Sequence, residues 1–259
     1  MRRILGSLFA SSVLCALTPV TSLQAQEYEP GDLGMVMHTE VAPKYRQAYR
    51  EAVEKLNEAA AAAGITDREW HFWGTDTGYM LYYPVANFAY FDDPMQLWRQ
   101  FDGTDGEALR NEFFAAMQSI PQHTSTEIVE TIPGLEYWPE GYDDIKVAHF
   151  HFEWLADGAS EEAWMDLSRD FIAFLQRIGY PYGVRAYRTR IGDERMIWVM
   201  FAPGLSEFHS DAAWDDLVEA AGAQEEQEAL NDRFRDIVGR WEHSDARYIE
   251  NMSYVPDGM

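Results

Sequence analysis

The chain has 259 residues, of which 44 are acidic and 20 basic, giving a formal charge of −24. A surface of that sign repels phosphate backbones and anionic lipid headgroups, which excludes nucleic acid and membrane surfaces as partners. With 47% hydrophobic residues there is material for one large core or two smaller ones, and a single cysteine, Cys15, allows no intrachain disulfide.

The first residues, MRRILGSLFASSVLCALTPVTSLQAQ, combine two arginines, a short apolar stretch and a small residue near the end. That pattern predicts a signal peptide over residues 1–25, cut after Ala25, and a periplasmic or secreted protein. Serines and Pro19 interrupt the apolar stretch, which is short for a membrane span. Leu14 is a poor neighbour for a lipidated Cys15, and Arg2-Arg3 stands without the rest of a twin-arginine motif. Loss of the leader also removes the only thiolate available for catalysis or metal binding.

A strand is expected at 34–41, where Met35, Met37, Thr39 and Val41 alternate with Val36, His38 and Glu40. Pro43 then opens a helix striped by Tyr45, Tyr49, Val53, Leu56 and Ala60, and Gly64 ends it. A hairpin turns at 74–78, with His71 and Trp73 on one face. Asp93-Pro94 and Glu107–Ser119 mark two helical pieces, and a strand carrying Glu130 is expected at 126–132. The same order then recurs. A strand at 146–154 alternates Ala148, Phe150, Phe152 and Trp154 with Val147, His149, His151 and Glu153. A helix capped at Ser160 is striped by Trp164, Leu167, Phe171, Leu175 and Ile178 up to Gly179. A hairpin turning at 191–193, a helical region at 211–241 and a strand at 246–252 carrying Glu250 complete the chain.

Short phrases echo between the halves in the same order. MHTEV answers FHFEW, YMLYY answers RMIWV, and Trp98 answers Trp214. EALRNEFF answers EALNDRFR, the pair His123 and Glu130 answers His243 and Glu250, and YWPEG answers YVPDG. Such echoes predict a tandem duplication, with repeats at 30–141 and 142–258. Each repeat reads β-α-β-β-α-β, the order of a ferredoxin-like unit. The chain therefore resembles the dimeric α+β barrel superfamily, as a single-chain pseudo-dimer with its two sheets packed into one barrel. The resemblance rests on element order and duplication.

Placing the apolar sets under the helices leaves His38, Glu40, His149, His151 and Glu153 facing the expected barrel interior. His71, Trp73, Glu130 and Glu250 are candidates to line the same ligand site. Buried charge is costly unless paired or used, so His38–Glu40 and His151–Glu153 form either a hydrogen-bonded plug or a catalytic pair. His149 has no counterpart, because Val36 holds that place, and the second half is expected to be the more specialised.

No G-x-S-x-G, H-E-x-x-H, P-loop or Rossmann pattern occurs. Three readings remain. The resemblance implies a cofactor-independent enzyme on an apolar or aromatic substrate, as in monooxygenases of the antibiotic-biosynthesis type and lactone isomerases, where a His–Glu pair would move protons. Two histidines and two carboxylates could instead hold a divalent metal. Haem ranks below this: chlorite dismutase-like and dye-decolourising peroxidase-like relatives bind it, but no haem-ligand signature is present here. The third reading is a small-molecule carrier without turnover. A monomer or weak oligomer is expected in every case, because the pseudo-dimer is internal. Mass spectrometry of exported protein should find an N-terminus near Gln26 or Glu27, and an intact leader would contradict the expectation.

Overall fold

The computed structural model describes residues 32–209 and 211–256, so the expected signal peptide lies outside the described residues. β1 (Leu33–Val41), β2 (His71–Gly74), β3 (Gly78–Val85) and β4 (Gln122–Tyr137) come from the first half of the chain. β5 (Val147–Leu155), β6 (Gly183–Ile191), β7 (Met196–Ala202) and β8 (Val238–Tyr248) come from the second. They close into one antiparallel barrel in the order β1-β3-β2-β8-β5-β7-β6-β4. The seams differ from the other ladders. β2 meets β8 only through Trp73 with Tyr248 and Gly74 with Arg247, and β4 meets β6 with register shifts.

Helices cover the outside. A short 3₁₀ turn begins at Pro43, and α1 (Arg46–Ala63) follows, ending at Gly64 with φ 67°. Tyr49, Val53 and Ala60 of its stripe are buried against the outer faces of β1 and β3. After α2 (Gln96–Arg99), α3 (Glu107–Gln118) packs on α1. On the other side α4 (Glu161–Ile178) starts with the Ser160 hydroxyl accepting from the Ala163 amide at 3.1 Å. Glu161 and Glu162 in its first turn suit the positive helix end, and Gly179 closes it at φ 64°. Beside it lie α5 (Leu205–Phe208), α6 (Asp211–Ala220) and α7 (Gln224–Ile237).

Three apolar clusters result: one under α1 and α3, one under α4, α6 and α7, and one inside the barrel. Inside, Gly34 leaves room for a ring, since a Cβ there would lie 2.2 Å from Cε2 of Tyr82. One expected boundary is corrected. The last strand starts at Val238 rather than at 246, and Glu250 falls in a 3₁₀ turn over Glu250–Met252. Charged residues occupy much of the early part of β8, which disguised it as helix.

Glu130 is corrected too. It leaves β4 on the outer face and is 1% exposed. Its Oε2 accepts from Nε of Arg188 at 3.0 Å and lies 3.4 Å from Nε of Arg190. Arg188 also binds Glu161 at the start of α4. The carboxylate therefore ties β4, β6 and α4 together and does not reach the barrel interior. Breaking a buried pair from one side costs about 3–5 kcal/mol. Glu130→Ala should lower the urea midpoint accordingly, and a midpoint within error of the parent would refute this structural role.

Candidate functional site

Strand parity decides which side chains share a space. β1 sends Val36 and His38 into the barrel, as expected. β5 sends Phe150 and Phe152 inward, so His149, His151 and Glu153 turn outward beneath the helices. The expectation that these three face the interior is therefore overturned. Matching the two H-x-E phrases slips the strands by one residue, and such a slip exchanges the faces. Polarity could not expose the slip, because both faces of each strand are covered. Glu40 also misses the interior: it is exposed near the end of β1, opposite Gly78. Glu250 is likewise exposed.

The outward histidines line a cavity of about 570 Å³ between the sheet and α4, α6 and α7. Its walls are largely aromatic, with Trp164, Phe171, Trp198, Trp214 and Phe234. Glu153 is 3% exposed. One of its oxygens accepts from Nδ1 of His151 at 2.7 Å, and the other accepts from Nε1 of Trp164. A carboxylate can only accept, so Nδ1 of His151 carries the hydrogen and Nε2 keeps its lone pair. The buried carboxylate is thus doubly satisfied, and it sets both the orientation and the tautomer of the imidazole.

At the rim, Nδ1 of His149 donates to Oδ1 of Asp245 at 2.7 Å. His209, just beyond α5, approaches Oδ2 with Nε2 at 3.0 Å. Burial pushes the pKa of His149 below its ordinary value, outweighing the upward pull of Asp245. Burial also opposes the Asp245 charge, but hydrogen bonds from both histidines hold its pKa below the usual carboxylate range. Asp245 and His209 escaped the sequence analysis. His243 and Asp245 do repeat the alternation of a strand, and a β8 beginning at Val238 would have set Asp245 opposite His149. The connector that carries His209 left no comparable signal.

The barrel interior holds a second cavity of about 410 Å³. It collects His38, His71 and Trp73 as expected, together with Tyr82, Arg185 and Tyr187. His38 lies 3.9 Å from Glu127, but that carboxylate is already held by Arg195 at 2.7 Å. Nε2 of His71 is 3.5 Å from Glu69. The interior thus has polar handles but no His–Glu pair of the kind seen outside.

No family model matches the chain, and no curated protein matches its sequence. Solved structures do. A candidate monooxygenase from Fusobacterium nucleatum superposes with TM-score 0.54 at 8% identity, over 90% of this chain and 98% of that one. An anthrone oxidase-like protein gives 0.51 at 12%, over 86% and 93%. Chlorite dismutase from Candidatus Nitrospira defluvii gives 0.50 at 13%, over the same shares. At these identities the likeness speaks for the fold alone. What is shared is a mixed α+β fold built on a closed eight-stranded antiparallel barrel.

Burial lowers the pKa of His38, with Glu127 raising it and Arg195 lowering it further. An unfolded histidine titrates near about 6.5, so the unfolded chain takes up a proton first as pH falls. The contribution of His38 is whole above that pH and is lost as pH drops through the folded value. His149 acts in the same direction. Melting temperature should therefore fall between about pH 7 and pH 5, and His38→Asn should flatten that slope. An unchanged slope would show that His38 stays hydrated in the barrel.

Proposed function

We propose that this is an exported protein that binds an apolar or aromatic small molecule in the 570 Å³ cavity, where His151 and Glu153 act as a proton-transfer dyad. One observation carries the reading: a buried carboxylate, fixed by the indole N–H of Trp164, accepts with its other oxygen from an imidazole that lines an aromatic chamber. Nε2 of His151 takes a proton from an acidic C–H or O–H of the bound molecule, and Glu153 stabilises the imidazolium formed. In an isomerase the proton is then returned to another position of the same molecule. In a cofactor-independent oxygenase the anion formed gives its electrons to dioxygen, the co-reactant, and the proton is returned to the oxygenated product. The names of two fold neighbours, a candidate monooxygenase and an anthrone oxidase-like protein, point the same way.

The finer architecture belongs to the same proposal. The chain is a tandem duplication of ferredoxin-like repeats at 30–141 and 142–258, forming an internal pseudo-dimer and a monomer or weak oligomer in solution. The ring order supports it, since β4-β1-β3-β2 in one arc is answered by β8-β5-β7-β6 in the other. The left-handed caps Gly64 and Gly179 hold matching places after α1 and α4.

Haem, which the resemblance admits, finds a compatible donor: with Nδ1 on Glu153, His151 has Nε2 available for iron, within aromatic walls. Bound there, haem would supply redox chemistry at its iron. The dyad reading routes no step through it, and an absorption spectrum of exported protein separates the two.

General-base catalysis is worth about 10²–10⁴-fold. His151→Ala should lose turnover by about that factor on any substrate found by thermal-shift screening of aromatic and apolar compounds. Glu153→Gln should lose less, because the shape survives while imidazolium stabilisation weakens. Ligand binding without turnover in the parent would identify a carrier. Variants that keep full function but melt earlier would reduce the dyad to a hydrogen-bonded plug.

A further inference from the structure

Three elements meet at the rim of the larger cavity. His149 on β5 and Asp245 on β8 are direct partners across an antiparallel ladder, so their side chains leave the sheet together at a set spacing. His209 arrives from the connector after β7 and meets the same carboxylate. The two imidazoles stand almost perpendicular, at 85°, with ring centroids 5.4 Å apart. One donor atom from each of the three residues lies within 4.8 Å of the other two.

We propose that His149, His209 and Asp245 form a mononuclear site for a divalent transition-metal ion, with its remaining coordination positions open towards the cavity. The donor types select the class of ion. Two imidazoles and one carboxylate suit zinc, iron(II) or manganese(II), whereas calcium and magnesium prefer oxygen alone. The geometry selects the stoichiometry. Metal–ligand bonds of about 2.0–2.2 Å place ligand atoms roughly 3–4 Å apart, so one ion can enter the trio by side-chain adjustment. Closed structural zinc sites take four protein ligands, while three ligands leave a position for water or a bound molecule. His149 and Asp245 sit on paired strands, so the ion would draw the connector down onto the sheet. Phe208 on that connector already lies 4.6 Å, ring to ring, from His149. Occupancy would thereby narrow the entrance to the chamber.

The competing account is that Asp245 merely accepts two hydrogen bonds. A chain of charge −24 also attracts cations indiscriminately, so affinity alone proves nothing. The proposal needs neither the His151–Glu153 chemistry nor an organic ligand.

The test uses the full exported protein, stripped by chelator and titrated with Co²⁺ in visible absorption, then challenged with Zn²⁺. One equivalent of Co²⁺ should give ligand-field bands that Zn²⁺ abolishes. His209→Ala and Asp245→Asn should each weaken binding by at least about tenfold, the lower end of the loss seen even for residues beyond the ligands themselves. His209 is exposed, so its loss leaves the fold intact, and His123→Ala, on an exposed part of β4, should bind as the parent does. Zn²⁺ should raise the melting temperature of the parent but not of His209→Ala. Absence of ligand-field bands would overturn the proposal, as would Co²⁺ affinity in His209→Ala and Asp245→Asn equal to that of the parent. The ligand screen for the dyad is run on the stripped protein, so failure here leaves that result standing.

Discussion

Closure of the sheet is the constraint on which everything else rests. Eight antiparallel strands joined into a ring leave no edge to protect, and each strand acquires an inner face and an outer one, the outer faces covered by helices over much of the barrel. Alternate residues of a single strand then belong to different chambers. On β5, Phe150 and Phe152 stack inside the barrel at 6.0 Å, while His151 between them serves the space outside. Function in this fold is assigned by odd and even positions before any chemistry begins.

This explains what could be read from the chain and what could not. The helices were legible because their signals are local: Ser160, the stripe from Trp164 to Ile178, and Gly179 all lie within one segment. The strands were legible as segments, and the mixed architecture with a closed barrel followed from their order. Facing was not legible on β5, because alternation distinguishes core from solvent and here both sides are core. Long-range charge pairing was equally hidden. Glu130 looked like a functional carboxylate, and only the approach of Arg188 and Arg190 across the β4–β6 seam makes it structural. The rim trio required β5, β8 and a connector to converge, which no local pattern encodes.

The two outer layers differ in how completely they are filled. Under α1 and α3, Tyr49 stacks on Tyr79 at 4.8 Å, and Arg50 donates to the Tyr79 hydroxyl at 2.9 Å. Thr39 of β1 pairs there with Thr124. Under α4, α6 and α7 a comparable aromatic wall surrounds open volume, and the carboxylate of Glu153 stands on the strand facing it. An unfilled core sacrifices contacts and stability. That sacrifice, beside a buried carboxylate with both oxygens hydrogen-bonded, is what the proposal of a bound small molecule rests on.

The distribution of indoles gives the molecule its own optical gauge. Of the nine tryptophans, Trp164, Trp198, Trp214 and Trp241 border the outer chamber, whereas Trp73 and Trp138 border the barrel interior. Trp241 is half in water, at 51% exposure, and rests 5.1 Å from the ring of His151. Trp164 is sealed in the wall and tied to Glu153. Emission from the first responds to solvent and from the second to the state of the dyad. One chamber thus carries an indole in water at its rim and another sealed in its wall.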